Sequence, residues 1–237
     1  MRLNPPPGMA DGQGVGEPET ASAAQDRPEA GPPGLADGLP SFCDRFEALG
    51  TVGVVLVSAA PLLGVEQSHG RAAYARSLAS LCELVRDACD GSEGEHFIVR
   101  GEIGRPEVAV FLFRRQDDAR LYRGELSGLT RSLVRALEQQ GHRVAYPYLR
   151  RAPNVGVGYA VAFRNPFLSP ETQIRRALEE AREDADLHGR VAARTRRKRF
   201  LSLVLGGEVT SVYEPIVDVA SRTVFGYEAL ARGPAGT

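Results

Sequence analysis

Two side chains near the end of the chain have the types and spacing for phosphate chemistry: Glu228 and Arg232. Glu228 lies toward the end of a run rich in β-branched and aromatic residues, Thr223 to Leu230. A carboxylate where a strand opens into a loop can hold a hard cation such as Mg²⁺. Arg232 follows four residues on, and its planar fork suits a pair of phosphate oxygens. Glu214 stands in the preceding run, Val212 to Val219. Its carboxylate would repel an anionic ligand unless protonated or metal-bound. The same residues would also make a surface ion pair on an ordinary hairpin, and spacing alone leaves both readings open.

The elements that carry them are legible from the pattern. Both runs read as strands, and only Ala220, Ser221 and Arg222 clearly separate them. A parallel crossover needs about a dozen residues, so the pair is antiparallel. Upstream, Val52 to Val57 is a short continuous apolar run, consistent with a buried strand. Tyr74, Leu78, Leu81, Cys82, Val85 and Cys89 form one stripe on a helix. Phe97 to Arg100 and Val108 to Phe113 are strands close enough to pair. Asp117 or Asp118 then caps a helix whose stripe is Tyr122, Leu126, Leu129, Leu133 and Leu137, ending at Gly141. Val155 to Phe163 is a late strand. Ser169 caps a last helix with Pro170 in its first turn, and Ile174, Leu178, Ala181 and Ala185 form its inner face.

The string Tyr213-Glu214-Pro215-Ile216-Val217-Asp218, followed by Gly226-Tyr227-Glu228-Ala229-Leu230-Ala231-Arg232, resembles the opening of an EAL-type cyclic-di-GMP phosphodiesterase domain. The resemblance covers about thirty residues. It implies that Glu228 is a metal ligand and that Arg232 contacts a phosphate of cyclic-di-GMP. It places Glu214 where the family usually has a glutamine that helps hold the dinucleotide. The family's remaining ligands would fall beyond Thr237, so no complete catalytic set is expected in these residues. Mg²⁺ or Mn²⁺ is expected only with a complete EAL domain, and no cofactor is expected for this chain.

The preceding order, β-α-β-β-α-β-α, resembles the GGDEF domain that often precedes an EAL domain. Gly64-Val65-Glu66-Gln67-Ser68-His69-Gly70 is similar to that family's segment after its first strand. Gly104-Arg105-Pro106-Glu107-Val108 stands where the family has G-G-D-E-F. Diguanylate cyclases need carboxylates that hold two cations. Here Ser58 or Ala59 falls at the first-strand aspartate position, and Pro106 replaces the signature acid and removes a backbone N–H. Arg105 replaces a glycine where the backbone must approach the nucleotide. No R-x-x-D inhibitory motif stands just upstream of Gly104. Cyclase activity is therefore not expected, and Glu107 is expected to be a solvated or paired strand-edge residue.

The expected fold class is α/β (α+β). A GGDEF-like central sheet flanked by helices is followed by a linker helix and the first β-hairpin of an incomplete EAL, TIM-like barrel. Residues 1–40 hold eight prolines and seven glycines, too little apolar matter to offset their ordering entropy, and are expected to be a disordered tail. The degenerate GGDEF-like domain is expected over 42–188, a basic linker helix over 189–205 and the EAL opening over 206–237. The linker run of Arg190, Arg194, Arg196, Arg197, Lys198 and Arg199 follows an acidic stretch. That order suits a helix macrodipole.

Composition narrows the partners. Formal net charge is −1, and no aromatic residues interleave with the basic run, so nucleic acid is not expected. No run of about 20 apolar residues exists and no secretory leader opens the chain, which points to the cytoplasm rather than a membrane. Cys43, Cys82 and Cys89 are odd in number, and the last two share a helix face, so they read as core residues of a reducing compartment. The expected role is cyclic-di-GMP signalling by a catalytically inactive regulatory module. Dinucleotide binding by this fragment is expected to be weak or absent, and a homodimer is open. The alternative is a non-catalytic protein- or nucleotide-binding scaffold with a vestigial EAL segment.

Overall fold

The computed structural model describes residues 32–90, 94–102, 104–149 and 152–234. Four antiparallel strands form one sheet: β1 (Gly50–Ser58), β2 (Phe97–Arg100), β3 (Glu107–Arg115) and β4 (Val157–Phe163), in the order β2-β3-β1-β4. The continuous apolar run of β1 is explained by its place, since a central strand covered on both faces needs no polar side. Val55 and Val57 point into a core closed by α3 (Arg71–Cys89) and α4 (Leu126–Val144). Val52, Val54 and Leu56 point into a second core closed by α1 (Leu35–Leu49) and α5 (Pro170–Leu205). A short helix, α2 (Leu63–His69), lies between β1 and α3. β5 (Thr210–Asp218) and β6 (Thr223–Arg232) pair only with each other, as a separate two-stranded sheet.

Helix α1 corrects the expected domain start at Phe42 and shortens the expected tail. It begins at Leu35, and Leu35, Leu39, Phe42 and Phe46 are buried as one stripe against the sheet. The segment ahead of it docks on β2: Arg100 donates its backbone N–H to Pro33 O (2.9 Å) and its Nε–H to Pro32 O (2.7 Å). Four apolar side chains at helical spacing outweigh the Pro and Gly content, including Pro40, which lies inside the helix and has no N–H to donate. The rest of the expected tail, residues 1–31, lies outside the described residues.

A second correction concerns the start of α4. Residues Leu121–Glu125 form a π-turn in which Leu126 donates its N–H to the Leu121 carbonyl. That wider turn inserts one residue into the helical phase. Leu121 therefore fills the core position expected for Tyr122, which is 47% exposed and lies edge-on to Phe163. The stripe then continues through Leu126, Leu129, Leu133 and Leu137 as the spacing indicates, and the helix runs past Gly141 to Val144.

Helix α5 opens as the sequence indicates: Ser169 Oγ accepts from Thr172 N–H (3.2 Å), with Pro170 in the first turn. It then runs unbroken for 36 residues through the junction expected at residue 189. Its early half lies close against β4, because a Cβ at Gly156 or Gly158 would run into the backbone of Ala181 and Ala185. Asp184 accepts the outward N–H of Tyr159 (3.0 Å), capping part of the β4 edge. The helix ends in a glycine cap: Gly207 has φ 68°, Glu208 N–H reaches Leu203 O (3.1 Å) and Gly207 N–H reaches Val204 O (3.4 Å).

Candidate functional site

Two of the segments singled out in the sequence meet in space. Antiparallel pairing sets Ser58, at the end of β1, opposite Glu107, at the start of β3. Ala59 N–H donates to Pro106 O (2.7 Å), so the β2–β3 turn and the end of β1 form one rim. Gly104 takes the left-handed backbone of that turn (φ 84°). The only carboxylate among Ser58, Ala59 and Gly104 to Glu107 is Glu107, and it is committed. Glu107 is 5% exposed, and Arg182 of α5 forks it with two hydrogen bonds of 2.8 Å.

The neighbouring charges close a network around that pair. Arg105, in the position of a signature glycine, donates to Glu179 of α5 (3.2 Å), and Arg182 also pairs with Glu179. Arg175 joins Glu102 of the β2–β3 turn (2.7 Å) and Glu171 (2.8 Å). The hydrogen bond from Arg175 holds the Glu102 carboxyl below its ordinary value. The hydrogen bonds to Glu107 push the Arg182 guanidinium up. The rim is thus three arginines and four carboxylates that satisfy one another. Its chemical effect is to fasten the β2–β3 turn to α5. Glu107 is paired as expected, although the sequence did not reveal that it would also be buried.

Glu214, Glu228 and Arg232 also share a face. Glu214 lies directly opposite Glu228 in the β5–β6 register, and Arg232 donates to Glu214 across the strands (3.1 Å). Two like charges in direct cross-strand register repel, and the arginine offsets this. The hairpin turn is set by Asp218, which accepts Ser221 N–H (2.7 Å). A bulge at Ile216/Val217 shifts the register toward the turn. The face is open to solvent, with Glu214 and Arg232 side chains 61% and 51% exposed. Among the described residues no group of three or more His, Cys, Asp or Glu is placed to hold a metal ion. Two exposed carboxylates, one already paired, are too few donors for a catalytic cation.

One feature was not singled out in the sequence. A cleft of 1020 Å³ opens between the start of α4, the end of β3 and the end of α3, with Arg114, Arg120, Arg123, Arg131 and Arg135 on its walls. Asp118 pairs with Arg120 (3.1 Å) and Glu125 with Arg114. Arg123, Arg131 and Arg135 have no ion-pair partner among the described residues. The signal was present in the sequence, since steps of 3, 8 and 4 from Arg120 keep four arginines on one helix face. Such a surface suits a ligand with more than one anionic group.

No protein-family profile matches the chain, and no curated protein matches it in sequence. Solved structures do match. The GGDEF domain of the PA2567 protein of Pseudomonas aeruginosa superposes with a TM-score of 0.50 at 14% identity, covering 65% of this chain and 89% of that one. The chain has the fold of a GGDEF domain. The GGDEF domain of a second Pseudomonas aeruginosa protein, TpbB, gives a TM-score of 0.46 at 14% identity, over 67% of this chain and 90% of its own. The S helix–GGDEF–EAL structure of Vibrio cholerae LapD gives 0.45 at 13% identity, over 84% of this chain and 46% of its own. On the GGDEF fold, the β2–β3 turn and the arginine cleft lie at opposite ends of β3. Among the described residues no helix is long and apolar enough to cross a membrane.

Proposed function

We propose that this chain is a cyclic-di-GMP signalling module: a catalytically inactive GGDEF-fold domain that regulates an EAL phosphodiesterase domain, of which residues 206–237 are the opening. The observation that carries the reading is the Glu107–Arg182 pair. Cyclase chemistry needs carboxylates free to hold two cations at the rim of β1 and β3. Ser58, Ala59 and Pro106 offer none, and the Glu107 carboxylate is already forked by α5. Where a cyclase would act, this chain has a structural tie. In a complete EAL domain, Glu228 would serve as one ligand of Mg²⁺ or Mn²⁺ and Arg232 would meet a phosphate, after leaving Glu214. Incubation with GTP and Mg²⁺ tests the inactive domain, and cyclic-di-GMP formed above a no-protein control would overturn it.

A second reading, a non-catalytic nucleotide-binding scaffold, is favoured by the arginine cleft. Calorimetric titration separates the two. Cyclic-di-GMP binding that is lost in R131A/R135A supports the signalling module. Binding of GTP with no response to cyclic-di-GMP supports the scaffold.

A further inference from the structure

The last buried residue of α5 is Ala185, and from Arg190 to Ser202 every residue is exposed. This segment carries six cations between Arg190 and Arg199 and no acid. Like charges one turn apart, Arg190 with Arg194 and Arg194 with Lys198, weaken a helix that is already marginal alone at this length. A partner that covers it would stabilise it. The face of α5 opposite its buried stripe runs Arg176, Glu180, Glu183, Leu187, Val191, Arg194, Lys198, Leu201, Leu205, at steps of 4, 3, 4, 4, 3, 4, 3 and 4. At its centre Leu187 and Val191 are 51% and 54% exposed. Toward the N-terminus it offers Glu180 and Glu183, which have no cationic partner among the described residues.

An acidic half, an apolar centre and a basic half make a stripe that complements itself only when reversed. We infer that this face of α5 is the docking surface for a second copy of the chain, with the two helices antiparallel about a two-fold axis level with residue 189. Leu187 then meets Val191 of the other copy, Glu183 lies beside Arg194, and Glu180 faces Lys198. Each contact occurs twice, as two-fold symmetry requires. A parallel pair would instead set Arg194 and Lys198 against themselves, and flanking charges decide orientation in paired helices.

Sedimentation velocity on the full chain tests this. The expected result is a dimer in low salt that weakens about tenfold or more in high salt, where screening shortens the reach of the ion pairs. E180R/E183R should be monomeric, and adding R194E/K198E should restore the dimer. All four positions are exposed, and circular dichroism confirms the fold of each variant. A monomeric wild-type chain in low salt overturns the inference. So does a dimer indifferent to E180R/E183R, which would be held elsewhere, for example by the hairpin. A reversal that the second pair of changes fails to rescue excludes the antiparallel register. A monomer that binds duplex DNA in a fluorescence assay overturns it in favour of a nucleic-acid surface.

Discussion

Replacing Arg182 with methionine leaves the Glu107 carboxylate buried with no partner. Glu107 is 5% exposed and takes both its short hydrogen bonds from that one guanidinium. Removing one member of a buried pair costs about 3–5 kcal/mol. Arg182 keeps some solvent contact, with a side chain 18% exposed, so the lower end, about 3 kcal/mol, applies. For a domain of this size each kcal/mol lowers Tm by about 2–4 °C, so R182M should melt about 6–12 °C below wild type. The loss should depend on pH. An unpaired buried carboxylate has a raised folded-state pKa, so the folded variant holds a proton that the unfolded chain releases. Stability then falls as pH rises through the carboxylate range, and the gap to wild type narrows in acid. Adding Glu107→Leu should recover most of the loss, because two apolar groups of matching size replace the ion pair at little cost. Thermal melts of the single and double variants at acid and neutral pH provide the measurement. A drop of less than about 3 °C for R182M would refute the account, as would a gap that widens in acid.

Three further outcomes follow from the same structure. Gly158→Ala would push a methyl group into the backbone of Ala181 and Ala185, so it should cost about 1–3 kcal/mol in denaturant unfolding and loosen α5 from β4. Burial pushes the Cys82 and Cys89 thiols up to about 11, so an aromatic disulfide at mildly alkaline pH should titrate Cys43 ahead of both; three thiols reacting equally fast in the native chain would contradict their burial. Incubated with cyclic-di-GMP and Mn²⁺, these 237 residues should yield no linear dinucleotide above a Glu228→Ala control, because Glu228 has too few fellow ligands among the described residues.

The sheet and the inner faces of α3, α4 and α5 were legible because burial imposes a period that survives in the residue types. Leu126, Leu129, Leu133 and Leu137 are evident from spacing alone, as are Ile174 and Leu178. Legibility failed where another signal masked that period. Prolines and glycines around Leu35 and Leu39 hid α1, whose stabilisation comes from the sheet rather than from local propensity. A single π-turn moved Leu121 into the place expected for Tyr122, and no periodic template contains such a step. At the candidate site, Ser58 and Glu107 each stand at a position the GGDEF resemblance marks, but it is the pairing of β1 with β3 that sets them opposite one another. The partner Arg182 is 75 residues away in the chain, and no local pattern could have paired it. The arginine cleft was legible only in part: Arg120, Arg123, Arg131 and Arg135 share a helical spacing, but Arg114 comes from β3 and no local pattern joins it to them.

The unbroken length of α5 acts as an angular index. Each residue turns the helix by about 100°, and the capped exit at Gly207 sets the direction in which the hairpin leaves. The number of residues between Ala185 and Leu205 therefore fixes the side on which Glu214, Glu228 and Arg232 are presented. Inserting two residues there turns that face about 200°, nearly to the opposite side, whereas inserting seven returns it to within about 20° while moving it outward. Length variation in this segment is thus constrained in steps near whole helical turns, even though nearly all of its side chains are solvent-exposed.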